Sequence, residues 1–210
     1  MIKLNKIVGL ISLFFLTIGL IGFFSPMEPL FRQLSIYNLL LTFILVTISF
    51  TNNLSVFIKL FLIAFGIGFI AELIGVHTGL LFGNYSYSQN LGLSFQKVPL
   101  IIGVNWAILS LGAWNLCRTI SKKIIINILI ASLLMVVFDI ALEPAAINLH
   151  YWSWKSGEIP LFNYISWFLI SIPAIYTWSL FKIESTGISK TIFISQFLFF
   201  IILTIKTTWL

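Results

Sequence analysis

Long apolar runs alternate with short polar breaks along the chain. Seven of the runs approach the roughly 20 residues that a helix needs to cross a bilayer core. They are Ile7–Phe24, Leu34–Phe50, Leu54–Val76, Val98–Leu116, Ile124–Leu142, Leu161–Phe181 and Ile188–Ile205. The second is short and the seventh carries Lys190, so six spans is the alternative count. The pattern predicts an all-α, polytopic membrane helical bundle of about seven transmembrane helices, forming one integral membrane domain over residues 1–210. Lys3 and Lys6 precede the first run, as in a signal peptide, but the run is long and no small-residue cleavage site follows. It is expected to stay as the first span.

Composition agrees with this pattern. Hydrophobic residues make up 60% of the 210 positions and charged residues 9%, against about 25% charged in soluble domains. The net charge of +6 points to neither a nucleic acid nor an acidic partner, because the basic residues lie at span edges and act there as topology signals. Lys3, Lys6, Lys59, Arg118, Lys122, Lys123, Lys182 and Lys190 collect on the N-terminal side; Arg32, Lys97, Lys155 and Lys206 collect on the other. That bias predicts a cytoplasmic N-terminus. The single cysteine, Cys117, excludes an intrachain disulfide framework. Ala64, Gly66, Gly68, Gly75 and Gly103 permit close helix packing.

The acids break the apolar pattern. Only six are present, and Glu72, Asp139 and Glu143 sit inside or at the end of predicted spans. Carboxylates there are expensive and usually face a cavity. With seven spans all three fall near one membrane face, beside the two longest loops, His77–Lys97 and Ala145–Pro160. Those loops are rich in Tyr, Trp, Gly and Asn; an interfacial aromatic belt is the plain alternative.

The two regions also echo each other. Glu72 precedes Tyr85-Ser86-Tyr87 by thirteen residues, and Asp139 precedes Trp152-Ser153-Trp154 by the same interval. Pro99-Leu100 precedes Trp106, and Pro160-Leu161 precedes Trp167, again at equal spacing. This suggests an internal parallel repeat, 54–116 and 124–181, with two half-sites around one cavity; coincidence in an aromatic-rich chain is the competing account.

A carboxylic acid withdrawn from water can stay protonated near neutral pH and serve as a general acid. Asp139 and Glu143 are four apart and share a helix face if the helix continues that far; Pro144 is expected to end or kink it. Protonation of an alkene would make a carbocation, which the faces of Trp106, Trp152, Trp154 and Trp167 could shield. The structural alternative is a set of buried acids bonded to Asn105, Asn163 or loop N–H groups. His77 and His150 flank the loops, but the Glu-x-x-His and His-Glu-x-x-His spacings are absent, so no metal is expected.

Two blocks carry a family resemblance. One is Glu72-Leu-Ile-Gly75-Val-His-Thr-Gly79-Leu-Leu-Phe-Gly83-Asn-Tyr85-Ser-Tyr87 with Val98-Pro99-Leu100 and Asn105-Trp106. The other is Asp139-Ile-Ala-Leu-Glu143-Pro144-Ala145 with Trp152-Ser-Trp154, Gly157, Ile159-Pro160-Leu161-Phe-Asn163-Tyr164 and Trp167. Together they resemble the carotenoid biosynthesis membrane proteins that include the carotenoid 1,2-hydratases and bisanhydrobacterioruberin hydratases. The likeness is detailed over residues 60–170; Glu143-Pro144 stands where the family pattern has Asp-Pro. The resemblance implies addition of water to the terminal double bond of an acyclic carotenoid, without cofactor, in a bacterial or archaeal cytoplasmic membrane. Glu72, Asp139 and Glu143 are the expected catalytic groups. Tyr85, Tyr87, Asn105, Trp106, Trp152, Trp154, Asn163 and Trp167 are the expected substrate-binding groups. The bilayer and a hydrophobic carotenoid are the expected partners. A carotenoid cyclase, sharing the protonation step, and a non-enzymatic lipid or pigment carrier or transporter are the alternatives.

Overall fold

The computed structural model describes residues 2–50, 53–180 and 187–209. Among them seven helices appear: α1 (Ile2–Phe23), α2 (Glu28–Ile48), α3 (Leu54–Thr78), α4 (Leu100–Cys117), α5 (Ile124–Asn148), α6 (Leu161–Ser179) and α7 (Gly187–Trp209). Four short strands lie in the two long loops: β1 (Tyr85–Tyr87), β2 (Ser94–Phe95), β3 (Val98–Pro99) and β4 (Trp152–Trp154). The fold is an all-α membrane bundle. Five helices, α2, α3, α4, α5 and α7, are long and apolar enough to cross a bilayer, and α1 adds the shorter apolar stretch Ile7–Phe23. Four polar side chains of α6, Asn163, Ser166, Ser171 and Thr177, are buried, while large apolar residues such as Leu62, Ile70, Leu133, Ile140 and Leu169 face outward. That inversion of the usual distribution suits a lipid surround. Phe181, Lys182 and Glu184, used above for span ends and charge counting, lie outside the described residues.

Three predicted boundaries change. Helix α2 begins at Glu28 rather than Leu34. Pro29 fits its first turn, where no N–H is needed, and Glu28 pairs with Arg32 at 3.0 Å, so a polar start escaped a hydropathy reading. Helix α5 neither stops at Leu142 nor ends at Pro144 but runs on to Asn148. Proline removes one donor, to the Ile140 carbonyl, and a membrane helix buried by neighbours tolerates that loss. Val98 and Pro99 precede α4 as strand β3, paired with β2 through a tight turn in which Gln96 and Lys97 both have positive φ, 47° and 69°.

The packing is centred on four helices. α3 and α5 each pack against both α4 and α6, and α4 touches α6. Outside this group α7 packs on α1, α4 and α5, while α2 leans on α1 and α4 and stays largely exposed. At one end of the bundle β1 and β4 pair antiparallel, Tyr85 opposite Trp154, Ser86 opposite Ser153 and Tyr87 opposite Trp152. Asn84 and Lys155, and Ser88 and Tyr151, extend the ladder by backbone hydrogen bonds of 2.9 Å. The Ser166 hydroxyl donates to the Leu81 carbonyl and ties α6 to the loop that leads into β1.

Candidate active site

Strand alternation decides where the aromatics point. Side chains two apart share a face of a strand. Tyr85, Tyr87, Trp152 and Trp154 therefore share one face of the β1–β4 ribbon, whereas Ser86 and Ser153 are exposed on the other. Beneath the aromatic face lie the three acids, each nearly sealed from solvent: Glu72 is 4% exposed, Asp139 0% and Glu143 3%.

Each acid has its own donors. Glu72 on α3 accepts hydrogen bonds through Oε2 from the Tyr85 hydroxyl at 2.5 Å and the Tyr87 hydroxyl at 2.7 Å. Its Oε1 accepts from Trp106 Nε1 at 3.0 Å. Two glycines on α3 make room for this. A Cβ at Gly68 would lie 2.3 Å from the Trp106 ring, and one at Gly75 would lie 2.6 Å from Phe82 and 2.9 Å from the Tyr85 hydroxyl. Glu143 accepts through Oε2 from Trp152 Nε1 and Trp154 Nε1, both at 3.0 Å. Asp139 stands one turn before it on the same face of α5. Its Oδ2 accepts from Asn163 Nδ2 at 2.7 Å, and its Oδ1 is buried with no hydrogen-bond partner among the described residues.

The tyrosines of the ribbon are held neutral. Withdrawal from water, and then the neighbouring Glu72 carboxyl, push the Tyr85 and Tyr87 hydroxyls well above the ordinary tyrosine range. They remain O–H donors at any physiological pH. Ring contacts connect the two acid clusters: Tyr85 lies 5.2 Å from Trp154, Tyr87 lies 5.9 Å from Trp152, and Trp106 stacks on Trp167 at 4.1 Å.

All these groups line one cavity of about 450 Å³ with a mostly apolar wall, within the range of ordinary ligand pockets. Every residue singled out from the sequence contributes to its wall: Glu72, Asp139 and Glu143, then Tyr85, Tyr87, Asn105, Trp106, Trp152, Trp154, Asn163 and Trp167. On α1 the lining runs from Ser12 to Phe23, a rise of about 17 Å at 1.5 Å per residue. Phe15 and Ile18 on α1 and Leu34 and Tyr37 on α2 line the cavity yet remain exposed, so it has an opening toward lipid on that side.

The structure also adds groups that sequence reasoning passed over. Ser12, Asn38, Thr42 and Gln196, on α1, α2 and α7, also line the cavity. Gln196 is a lone amide in an apolar run, the one signal that could have found it. Tyr151, just before β4, meets the Ser35 hydroxyl on α2 at 2.5 Å. The hydrogen bonds also divide roles differently from the spacing. By interval Asp139 matches Glu72, but by bonding it is Glu143 that holds the second aromatic pair. The structural alternative for Asp139, a bond to Asn163, is present for one oxygen only.

No curated protein and no solved structure matches the chain. A family model described as "Carotenoid biosynthesis protein" does match, over residues 34–209, from α2 to the end of α7, and by that match the chain belongs to the carotenoid biosynthesis protein family.

Proposed function

We propose that the protein is a carotenoid hydratase, which adds water across the terminal C=C of an acyclic carotenoid end group. The observation that carries this reading is the unpartnered Oδ1 of Asp139, buried on the wall of an apolar cavity that four indole side chains also line.

Asp139, as the neutral acid, gives its proton from Oδ1 to the less substituted alkene carbon. The π bond breaks, a C–H bond forms, and a tertiary cation remains. Asn163 holds Oδ2 and fixes the direction of the carboxyl. The cation forms against the stacked Trp106 and Trp167 rings, where an aromatic face contributes about 0.5–2 kcal/mol. Water attacks, the C–O bond forms, and Glu143 takes the released proton on Oε1, since both indole donors occupy Oε2. Transfer from Glu143 back to Asp139, one helical turn away, restores the starting state. Glu72, held by three donors on its two oxygens, lines the same cavity and serves as the counter-charge to the cation.

A cavity lined along about 17 Å of α1 accepts one end of a molecule about as long as a bilayer core is thick, about 30 Å. The opening beside α1 and α2 leaves the rest of the chain in lipid. The charge bias of the span ends puts the ribbon end on the extracytoplasmic side.

The test is expression in cells that accumulate an acyclic carotenoid, followed by weighing the pigments. Gain of one water is the expected result. An isomer of unchanged mass would mean a cyclase, and unchanged pigment a carrier; either would overturn the reading. Asp139→Asn should return the pigment unhydrated.

A further inference from the structure

Hydration needs dryness while the cation forms and water when it is captured. The aromatic ribbon has a feature suited to that sequence of needs. A second cleft, more polar than the first cavity, lies at the ribbon end, lined by Ser86, Ser88, Asn148, His150 and Ser153 among others. Ser86, Asn148, His150 and Ser153 are exposed, so the cleft is wet. It shares just two wall residues with the apolar cavity, Tyr87 and Trp152.

The two cross-strand pairs of the ribbon thus differ in what they separate. Tyr85 and Trp154 are buried, at 6% and 8% exposure, and line only the apolar cavity. Tyr87 and Trp152 are half-buried and face both spaces. Their rings meet edge to face, 5.9 Å apart at 80°. Each is anchored at its polar atom to a different acid, Tyr87 to Glu72 at 2.7 Å and Trp152 to Glu143 at 3.0 Å. The base assigned above is therefore one of the two anchors of the partition.

We propose that Tyr87 and Trp152 are the product-determining partition, admitting water from the polar cleft to the cation and so deciding between hydration and isomerisation. This inference rests on the hydratase reading. The balance of the step makes it testable. If water reaches the cation, it adds and loses one proton, giving the tertiary alcohol. If water does not, the cation loses a neighbouring C–H proton, directly or after capture by a neighbouring double bond, giving an isomer of unchanged mass. The proton gained and the proton lost cancel in that branch, so no other reactant is required.

The experiment closes the cleft from its wet side. Asn148→Phe with Ser153→Phe fills it without touching a residue of the catalytic machinery. Pigment consumption should persist while the alcohol-to-isomer ratio falls about tenfold, the scale of discrimination that one contact in a pocket supplies. Tyr87→Phe, which keeps the ring and removes only the anchor to Glu72, is the milder second variant and should move the same ratio by a smaller factor. If the unsubstituted protein makes alcohol and both variants keep its ratio, the partition is wrong and the hydratase reading stands. If the unsubstituted protein makes no alcohol, both fall.

Discussion

The two halves of the site each bring three hydrogen-bond donors to their acids and differ in how those donors are divided. In the α3–α4 half, one acid, Glu72, takes three donors, two from the Tyr85–Tyr87 strand and one from Trp106. In the α5–α6 half, two acids divide the donors. Glu143 takes the indoles of Trp152 and Trp154, and Asp139 takes only Asn163. Glu72 is held through both oxygens, whereas Asp139 keeps one buried oxygen without a partner among the described residues; under the proposed mechanism the first faces the cation and the second gives the proton. The comparison teaches that two similarly spaced clusters can divide equal numbers of donors differently, one acid taking all three in one half and two acids sharing three in the other.

The sharpest way to break this comparison is to neutralise one acid from each half. Asp139→Asn keeps shape and volume and lets Asn163 keep a partner, so the melting temperature in detergent should hold. Turnover should fall by about 10²–10⁴, the usual contribution of a positioned acid. Glu72→Gln faces the Trp106 N–H and two tyrosine hydroxyls with an amide. It should lower the melting temperature and reduce turnover less. Full loss of turnover with Glu72→Gln at unchanged melting temperature, and retention with Asp139→Asn, would reverse the assignment of the two halves.

The acids themselves, though not how their donors are divided, were legible in the chain because charge inside an apolar run is conspicuous. Glu72, Asp139 and Glu143 stood out for that reason, and equal spacing flagged Trp106 and Trp167, which stack. The strand aromatics were legible as motifs, but their pairing was not. Antiparallel register is a contact between segments 67 residues apart at Ser86 and Ser153, and no local period encodes it. Pro144, expected to end or kink α5, does not end it, because the surrounding helices offset the one backbone bond that it removes. The continuing helix is what puts Asp139 and Glu143 on one face. Ser12 and Thr42 were invisible as site residues because only the packing of α1 and α2 brings them to the cavity, and Gln196, conspicuous as a lone amide, still needed the packing of α7 to be placed there.

A second, smaller effect tests why the first half is built so tightly. Gly75 lies three residues after Glu72, and Leu142 lies three after Asp139. A methyl at position 75 would collide with Phe82 and the Tyr85 hydroxyl. Gly75→Ala should therefore destabilise by about 1–3 kcal/mol, as overpacked sites do, despite the roughly 1 kcal/mol by which Ala favours a helix over Gly. Thermal unfolding in detergent measures the sign. A raised melting temperature would show that Tyr85 is not pressed against Glu72 by the helix.

The smallest effect separates the tyrosines of the two halves by titration. Tyr151, on the approach to β4, is pushed up to about 12, chiefly by withdrawal from water, with the Ser35 bond and the Arg32 charge pulling the other way. A tyrosine raised in the folded state stabilises fully below its unfolded value of about 10, and that contribution is lost as pH rises through the folded value. The melting temperature should thus fall between pH 10 and 12. Tyr151→Phe should make that fall shallower and cost about 0.5–1.5 kcal/mol at neutral pH, the net worth of one hydrogen bond. Tyr85 and Tyr87, held against Glu72, should leave a residual fall in the variant that extends to higher pH. An alkaline profile identical in both proteins would mean that Tyr151 does not tie β4 to α2.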